Sequence, residues 1–366
     1  MSKKVFMIVT NRYDPDVRVH KEAMYLVSKG YEVEVLCWDR ENEYLQKEFE
    51  TIDQVKIKRF FPYAKYGSGL KQVKSFIKFM IETKKYLSKC DYAFLHCHDL
   101  DGVIVGLYSN KKKAKSIFDM HEMYEILGKN KKVKYIVRTI VRLFQSKCDY
   151  TVYVNEIQKK SMKNNTKRKC IYLPNYPSIQ KYMAVDKYNN NKLRISYIGA
   201  VREFHTLKIL MDACRELENV QVNIHGAGVA YEALSRISKE YNNVNVTGRY
   251  NINQIAEFYQ HTDILFIVYP IDNIQYKLSY PVKFYEAIVT KTPVIVAKNS
   301  VLDEFLSKHD IGFAVSDDDV LELSDLIKKI EKDRKIIETK ENNFNDIQYT
   351  YSWEKVVQKL DIIYNN

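Results

Sequence analysis

The sequence has no run of about 20 apolar residues, the length that a helix needs to cross a bilayer. Its short apolar opening segment is followed by no small-residue cleavage site, so it predicts a first buried strand and not a secretion signal. The six cysteines form no CxxC pair, and a chain of 366 residues needs no disulfide bonds for stability. We therefore expect a cytoplasmic protein with reduced thiols.

Acidic residues are scarce in the first half of the chain. Residues 1–176 carry 35 Lys and Arg against 20 Asp and Glu, a net charge of +15, whereas residues 177–366 carry 23 against 26, a net charge of −3. The basic half predicts an anionic partner, which could be a membrane surface, a phosphorylated acceptor or nucleic acid. Because no recognised nucleic-acid-binding module is present, we expect no nucleic-acid partner.

Strands and helices are predicted to alternate along the whole chain, and 46% of the residues are hydrophobic, enough for two buried sheets. In the first half we predict strands at 5–10, 31–37, 93–96, 115–119 and 150–154. After a proline-containing segment around Pro177, further strands are predicted at 193–198, 220–225, 244–247, 264–269 and 293–297. This pattern is typical of two doubly wound parallel sheets, with domains at 1–176 and 177–350.

The strongest motif is Tyr280-Pro-Val-Lys-Phe-Tyr-Glu286-Ala, followed by Pro293-Val-Ile-Val. Pro281 favours the first turn of a helix, whose free N–H groups can bind phosphate. Lys283 adds a positive charge there, and Glu286, one turn later, could accept hydrogen bonds from ribose hydroxyls. Ligands of doubly wound sheets bind beyond the carboxyl ends of the strands, where such a helix begins. An ordinary capped helix with a surface Glu–Lys pair would explain the same spacing.

Together with other motifs, this element resembles the retaining family 4 glycosyltransferases of the GT-B fold, especially the bacterial enzymes of polysaccharide and glycan assembly. In that family, a P-x-K-x-x-E-A element followed by P-V-I marks the donor site. Asp119-Met-His121-Glu122 resembles its D-x-H-E element, and Tyr197-Ile-Gly199-Ala-Val-Arg202 resembles its second-domain entry strand. Asp16-Val-Arg18-Val and Gly226-Ala-Gly228 also fit the family pattern.

The resemblance implies two Rossmann-like domains that face each other across a cleft, with a closing segment at 351–366 that packs back on the first domain. It implies that residues 1–176 bind a saccharide or polyprenyl-linked acceptor, and that residues 177–350 bind a UDP- or GDP-linked sugar. A hexose would be transferred with retention, without a metal or another cofactor.

The implied site residues form three groups. The catalytic residues would be His121, Arg202 and Lys283. The acceptor side of the cleft would be lined by Asn11, Arg18, His98 and Glu122. The donor would be bound by Gly199, His205, Gly226, Gly248, Arg249, Tyr250, Pro281 and Glu286. Within this last group, His205 would join Arg202 and Lys283 at the phosphates, and residues 248–250 would hold the base.

Several positions depart from the family pattern. Leu278 stands where the family usually has the first of two glutamates, and Ala200 and His205 replace an arginine and a lysine. Asn11-Arg12 replaces a glycine pair. Two alternatives therefore remain open: a non-catalytic glycosyltransferase-like subunit that binds an acceptor or partner, and a nucleotide-sugar 2-epimerase, which would consume the donor without any acceptor.

A metal site is a further alternative, because His96 and His98 follow a predicted strand and point to the same face. Zinc would need additional ligands at defined positions. We expect these histidines to line the cleft and predict no metal.

Two predicted helices carry both apolar and basic faces. In residues 71–87, apolar residues lie opposite basic ones: Val73, Phe76, Ile77 and Met80 opposite Lys71, Lys74, Lys78 and Lys85. Residues 129–148 show the same pattern, with Val133, Ile136, Val137, Ile140 and Phe144 on the apolar side. For the second helix we favour a core helix with a solvated basic face. The first predicts contact with anionic lipid, so that the protein would bind peripherally to the inner face of a membrane.

Overall fold

The structure is a computed structural model, and it describes residues 3–14, 16–110, 114–122, 124, 131–162, 170–182 and 191–365. The chain divides into two compact units, Met1–Asn175 together with Val357–Asn366, and Tyr176–Val356. The second unit begins one residue before the boundary predicted at residue 177. The predicted closing segment is divided between the two units, because its residues up to Val356 belong to the second unit.

Within the described residues, eight strands form the sheet of the first unit. They are β1 (Lys4–Val9), β2 (Glu32–Trp38), β3 (Phe49–Ile52), β4 (Val55–Phe60), β5 (Phe94–His98), β6 (Lys115–Met120), β7 (Tyr150–Tyr153) and β8 (Cys170–Tyr172). Their order in the sheet is β3-β4-β2-β1-β5-β6-β7-β8. The pair β3–β4 is antiparallel and the other neighbouring pairs are parallel. The sequence did not predict β4, because Lys58 and Arg59 interrupt its apolar pattern and yet are buried.

Between residues 17 and 161, five α-helices of this unit lie in the described residues. They are α1 (Val17–Ser28), α2 (Val73–Leu87), α3 (Asp99–Ser109), α4 (Lys131–Lys147) and α5 (Glu156–Ser161). Helix α1 begins where the Asp16 carboxylate accepts hydrogen bonds from the backbone N–H groups of Arg18 and Val19, the usual role of an aspartate before a helix. This cap fixes Arg18 in the first turn of α1.

Helix α2 buries only part of the apolar face that the sequence predicts. A 3-10 turn at Gly69–Gln72 precedes it, and its buried residues are Phe79, Thr83 and Leu87. Val73 and Ile77 of the predicted apolar face are exposed, whereas Phe76 and Met80 of the same face pack against the core cluster of the first unit. The apolar face of α2 is therefore wider than the part of it that packs in the core.

Helix α4 departs further from its prediction. It buries Val141 and Gln145, whereas Val133, Ile136 and Ile140 are exposed. The prediction of a core helix with a solvated basic face is therefore wrong for the N-terminal half of α4. An apolar stripe shows only that a helix has an apolar face, and its neighbours decide which face is covered. No helix in the described ranges is both long and apolar enough to span a bilayer.

The second unit contains six parallel strands within the described residues. They are β9 (Leu193–Ile198), β10 (Val220–His225), β11 (Val244–Gly248), β12 (Ile264–Ile267), β13 (Val294–Ala297) and β14 (Gly312–Val315). Their order is β11-β10-β9-β12-β13-β14. Both sheets are doubly wound and predominantly parallel, which confirms the predicted α/β class with two Rossmann-like units.

The helices of this unit continue the numbering. They are α6 (Phe204–Cys214), α7 (Tyr231–Ile237), α8 (Ile255–Gln260), α9 (Ile274–Lys277), α10 (Val282–Val289), α11 (Val301–His309), α12 (Val320–Lys332), α13 (Lys335–Asn342) and α14 (Trp353–Val356). Apolar side chains of α6 and α12 pack with those of β9 and β10 in one core cluster.

The chain ends against the first unit, in α15 (Asp361–Tyr364). The hydroxyl of Tyr25 donates to the Asp361 carboxylate (2.8 Å), and the hydroxyl of Tyr31 donates to the carbonyl of Tyr364 (2.6 Å). Ile363 and Tyr364 are buried, whereas Ile362 is 54% exposed. The last turn is therefore part of the core of the first unit.

This packing can be tested with two adjacent isoleucines. Ile363→Ala should lower the free energy of unfolding by about 2–5 kcal/mol, because it removes buried methyl groups and leaves a cavity. Ile362→Ala, the matched control on the exposed side of the same turn, should change it by less than about 0.5 kcal/mol. Urea unfolding measures both, and equal effects would contradict the placement of α15.

Candidate active site

In each sheet the strand order reverses at one point. Strand β1 lies between β2 and β5, and β9 lies between β10 and β12. At such a point the connections leave the sheet in opposite directions, so a crevice opens outside the carboxyl ends of the strands. The residues that follow these strands are the candidates for ligand contact in each unit.

Two glycine turns follow β9 and β10 in the second unit. Gly199 has a φ of +135° and Gly226 a φ of +143°, which residues with a side chain rarely adopt. A Cβ at Gly226 would overlap the carbonyl oxygen of Gly199. The N–H of Gly199 also donates to the carbonyl of His225 (2.9 Å). The two turns therefore pack backbone against backbone, and this close approach requires glycine.

Helix α10 brings Lys283 to the Gly199 turn. A Cβ at Gly199 would lie 2.9 Å from Nζ of Lys283, and that nitrogen is 3.5 Å from the centroid of the Tyr197 ring. Lys283 is 9% exposed, and its Nζ has no hydrogen-bond partner within the described residues. Burial lowers the pKa of Lys283 to about 7, although Glu286 opposes the shift. A bound anion would relieve the cost of this unpaired buried cation.

Glu286 lies one turn further along α10 and is held by two tyrosines. Its Oε1 accepts a hydrogen bond from the hydroxyl of Tyr182 (2.8 Å), and its Oε2 accepts one from Tyr259 (3.2 Å). The Tyr259 hydroxyl is also 3.2 Å from the carbonyl of Lys283. The carboxylate is therefore fixed in orientation and keeps lone pairs for further donors. The sequence missed both tyrosines, because the chain has 29 of them and these two stand outside the motifs.

Two more of the predicted donor residues lie near this carboxylate. Pro281 is the N-cap of α10. Tyr250 packs edge-on against Phe258 (5.2 Å between ring centroids), and Phe258 stacks on His225 (3.9 Å). Burial, followed by the charge of Glu286, raises the pKa of Tyr250, so the two groups are electrostatically coupled.

The remaining predicted donor residues are less closely connected. Gly248 has a φ of +79° and packs against Tyr231. The side chains of Arg202, His205 and Arg249 are exposed, and no hydrogen bond in the described part of the chain joins them to Lys283 or Glu286. Arg202 is nevertheless near enough to Tyr197 to counter part of the rise in its pKa that burial causes.

A buried ion pair joins α1 to β6 in the first unit. The guanidinium of Arg18 donates through Nε and Nη2 to both carboxylate oxygens of Asp119, at 3.0–3.1 Å. Its Nη1 donates to the carbonyl of Leu173 (3.0 Å), and Glu22 lies 3.1 Å from Nη2. Burial alone would raise the pKa of Asp119, but Arg18 and then His121 hold it well below its usual range.

His121 follows β6 and stands between two carboxylates. Its Nε2 is 3.4 Å from Asp119, and its Nδ1 is 3.4 Å from Asp99. Its backbone N–H also donates to Asp99 (3.2 Å). Burial lowers the pKa of His121, but Asp119 and Asp99 outweigh burial and raise it above the ordinary value. The ring of His98 lies alongside, with Nδ1 3.1 Å from Nε2 of His121.

Two cavities of the first unit border His121. One, of about 290 Å³, is lined by polar side chains that include Asn11, Arg40, His98 and Asp101. The other, of about 370 Å³, is lined by side chains that include Asp16, Arg18, Glu122 and Asn175. The structure thus brings the four residues predicted on the acceptor side close to His121.

Four buried residues of metal-binding type meet behind His121: the ligand atoms of Glu22, His96, His98 and Asp119 lie within 4.8 Å of one another. The sequence indicated the two histidines but not the two carboxylates, which come from α1 and β6. Arg18 lies against both carboxylates, and its charge opposes a cation there. Burial raises the pKa of Glu22 and lowers that of His96, which favours the neutral form of each. The absence of a metal remains a prediction.

Two family models match the chain in succession. The model described as "Glycosyltransferase Family 4" matches residues 16–175, and the model described as "Glycosyl transferases group 1" matches residues 178–348. The first match contains Arg18, Asp119 and His121, and the second contains Lys283 and Glu286. No curated protein matches this chain.

Solved structures share the fold over the whole chain. Sucrose-phosphate synthase from Thermosynechococcus elongatus has a TM-score of 0.75 and 14% identity, covering 99% of this chain and 98% of that one. HepE of Anabaena, in complex with UDP and glucose, has a TM-score of 0.67 and 13% identity, with 100% of each chain covered. A UDP-forming α,α-trehalose-phosphate synthase from Burkholderia xenovorans has a TM-score of 0.71 and 9% identity, covering 100% and 99%. These likenesses show the GT-B fold. The two family models, which together match residues 16–175 and 178–348, show that the chain belongs to the family 4 glycosyltransferases.

Proposed function

We propose that this glycosyltransferase moves a hexose from a nucleotide-diphosphate sugar to a saccharide or lipid-linked saccharide, with retention, in cell-surface polysaccharide or glycan biosynthesis. The second unit would hold the donor and the first unit the acceptor. The observation that carries the proposal is the buried Nζ of Lys283, which has no hydrogen-bond partner within the described residues and lies near the switch point of the second sheet. The UDP and UDP-glucose complexes of HepE support a UDP-linked donor, with a GDP-linked sugar as the alternative.

Charge stabilisation at the leaving group follows from this placement. As the glycosidic bond breaks, negative charge grows on the β-phosphate of the nucleoside diphosphate. Lys283 would meet that charge, together with the free N–H groups that follow Pro281 at the start of α10. Arg202 and His205 would contact the phosphates from the exposed side. Because these cations and dipoles neutralise the diphosphate, the proposal includes no metal.

The nucleoside would bind next to the diphosphate. Glu286 would accept hydrogen bonds from the ribose hydroxyls, with Tyr182 and Tyr259 keeping its carboxylate in position. The backbone of Gly248 and Arg249 and the ring of Tyr250 would hold the base. Backbone N–H and C=O groups would then form the hydrogen bonds to the edge of the base.

His121 would bind the transferred sugar on the side of the first unit. Its raised pKa favours a protonated ring, which can donate a hydrogen bond to a sugar hydroxyl. Asn11 and Glu122 would contact the acceptor through the two cavities. Arg18 and His98 are buried and would act mainly by holding Asp119 and His121 in place.

The acceptor is further proposed to be presented at the inner face of an anionic membrane. The charge difference between the two halves of the chain, +15 against −3, supports this location. Each lysine or arginine near an anionic surface contributes about 1 kcal/mol of attraction. The basic first unit would therefore be attracted to the anionic membrane that carries a lipid-linked acceptor.

The donor site can be tested with a panel of nucleotide sugars and with a substitution of Glu286. Among UDP-, GDP- and dTDP-sugars, one should raise the melting temperature of the protein through binding to the folded state. Glu286→Ala should weaken that donor by about tenfold or more, because it removes charged hydrogen bonds to ribose. Glu338→Ala, an exposed carboxylate on α13, serves as the control. Unchanged donor affinity of Glu286→Ala in calorimetry would end the ribose role.

Donor affinity should also depend on pH through Lys283. Free Lys283 has its pKa lowered to about 7, and a bound diphosphate would raise it, so binding above pH 7 requires uptake of a proton. Affinity should fall as pH rises from about 7, by up to about tenfold per unit, and this group should add little dependence below pH 7. Calorimetry at alkaline pH in buffers of different ionisation enthalpy measures the uptake. Lys283→Met should abolish it, and equal uptake in that variant would assign the proton elsewhere.

Transfer should survive EDTA, because cationic side chains and helix N–H groups neutralise the leaving group. The rate should match that of untreated enzyme in an assay that follows release of the nucleoside diphosphate. Loss of activity with EDTA, restored by Mg²⁺ or Mn²⁺, would contradict this prediction. Donor consumption without an acceptor would instead favour epimerisation.

A further inference from the structure

Helix α4 exposes a continuous line of apolar side chains. Val133, Ile136, Ile140 and Leu143 are 41%, 55%, 38% and 49% exposed, and together they form what we term the α4 ridge. Their spacings of three and four residues place them along one side of the helix. Soluble proteins rarely leave such a line of large aliphatic residues uncovered without a binding role.

The α4 ridge is separate from the surface by which α4 packs on its own unit. Val141 and Gln145 face the interior and are buried. Val137 and Phe144, which lie between the two faces, pack against the core cluster of the first unit. The inner apolar side chains of α4 therefore pack in the core of the first unit, whereas the α4 ridge is exposed.

The charge on α4 is of one sign. Residues 131–147 contain six Lys and Arg and no Asp or Glu. Lys131, Lys132 and Lys134 lie in the first turns, where the helix dipole disfavours positive charge. Stability of the isolated helix therefore does not explain their position. Of the six cations, Lys132 and Lys147 lie on the same side of the helix as the α4 ridge, because each is four residues from a ridge residue, Ile136 and Leu143 respectively. These two lysines would meet an anionic surface if the ridge entered it.

The neighbouring helices extend this surface. Helix α3 packs against both α2 and α4. On α3, Tyr108 is exposed beneath Lys84 of α2, whose Nζ is 3.8 Å from the ring centroid. On α2, Ile77 and Ile81 are also exposed. Exposed apolar or aromatic side chains are therefore present on all three helices, and α2 and α4 also carry lysines.

From this combination we infer that the α4 ridge inserts into the headgroup–acyl boundary of an anionic membrane, with Lys132 and Lys147, at the two ends of the ridge, on the lipid phosphates. Basic residues flanking an apolar face are what such an interface selects. A second copy of the chain fits less well, because it would bring two all-basic helices together. The inference deepens the peripheral location proposed above and rests on it. It adds a hydrophobic component that salt does not screen.

Vesicle co-sedimentation tests the inference with three variants of the full chain. The ridge variant carries Ile136→Gln, Ile140→Gln and Leu143→Gln, exposed positions where glutamine preserves helix propensity. The matched control carries the same three glutamines at other exposed apolar positions, Leu45, Ile274 and Leu321. The α2 variant replaces lysines only, with Gln at Lys71, Lys74, Lys78 and Lys85.

Wild-type protein should bind vesicles of phosphatidylglycerol and phosphatidylcholine, and part of the binding should persist in about 1 M NaCl, where charge is screened. The ridge variant should lose at least about tenfold in affinity and all of the salt-resistant part. The control should bind like wild type, and the α2 variant should lose only salt-sensitive binding. A Leu143→Trp probe should show blue-shifted emission with these vesicles, whereas Leu321→Trp should not.

Three results would overturn the inference. If the ridge variant binds like wild type, α4 does not insert, although electrostatic docking stands. If wild type binds no vesicles, both the insertion and the peripheral location fail. If the ridge variant converts a dimer to a monomer in sedimentation without loss of vesicle binding, the ridge is an interface between copies. Thermal stabilisation by nucleotide sugar, measured on the same samples, reports separately on the glycosyl-transfer proposal.

Discussion

The ion pair between Arg18 and Asp119 organises the functional region of the first unit. Two charges are buried there, and the arrangement is tolerable only because Arg18 uses its forked N–H groups on both carboxylate oxygens and on the Leu173 carbonyl. Removing one partner of such a pair typically costs about 3–5 kcal/mol, since the other charge is left buried. The pair therefore holds α1 against β6, next to His121, whose Nε2 is 3.4 Å from Asp119.

The same pair determines the protonation of its surroundings. Because Asp119 stays ionised, the pKa of His121 is raised despite burial. Burial and the charge of Asp119 raise the pKa of Glu22, so that its proton reduces the charge around the carboxylates. His96, held by the hydroxyl of Tyr364 from the C-terminal turn, is kept neutral by burial. Burial and this central ion pair thus together determine which neighbours carry charge.

The buried cation of the second unit, Lys283, differs from Arg18 because it forms no ion pair of this kind within the described residues. Lys283 has an aromatic ring and glycine backbone around it, and its Nζ has no hydrogen-bond partner in the described residues. Its charge is therefore costly in the free protein, and a substrate anion would remove that cost. The two glycine turns are joined to each other through the hydrogen bond from the Gly199 N–H to the His225 carbonyl, and Lys283 of α10 lies against the first of them. The contrast between a balanced and an unbalanced buried cation matches the different tasks proposed for the two units.

The sequence by itself determined the alternation of strands and helices, the division near residue 177, the charge difference between the halves, and the motifs at His121 and Lys283. These are local properties: apolar runs, a proline before a helix, glycines after strands. Only the tertiary structure decided that Glu22 and Asp119 join His96 and His98, that Tyr182 and Tyr259 hold Glu286, and that part of the apolar side of α4 faces outward. Those outcomes depend on contacts between residues far apart in the chain, such as Tyr259 and Glu286 at 27 positions and Tyr182 and Glu286 at 104. No pattern within a single helix or strand specifies its neighbour.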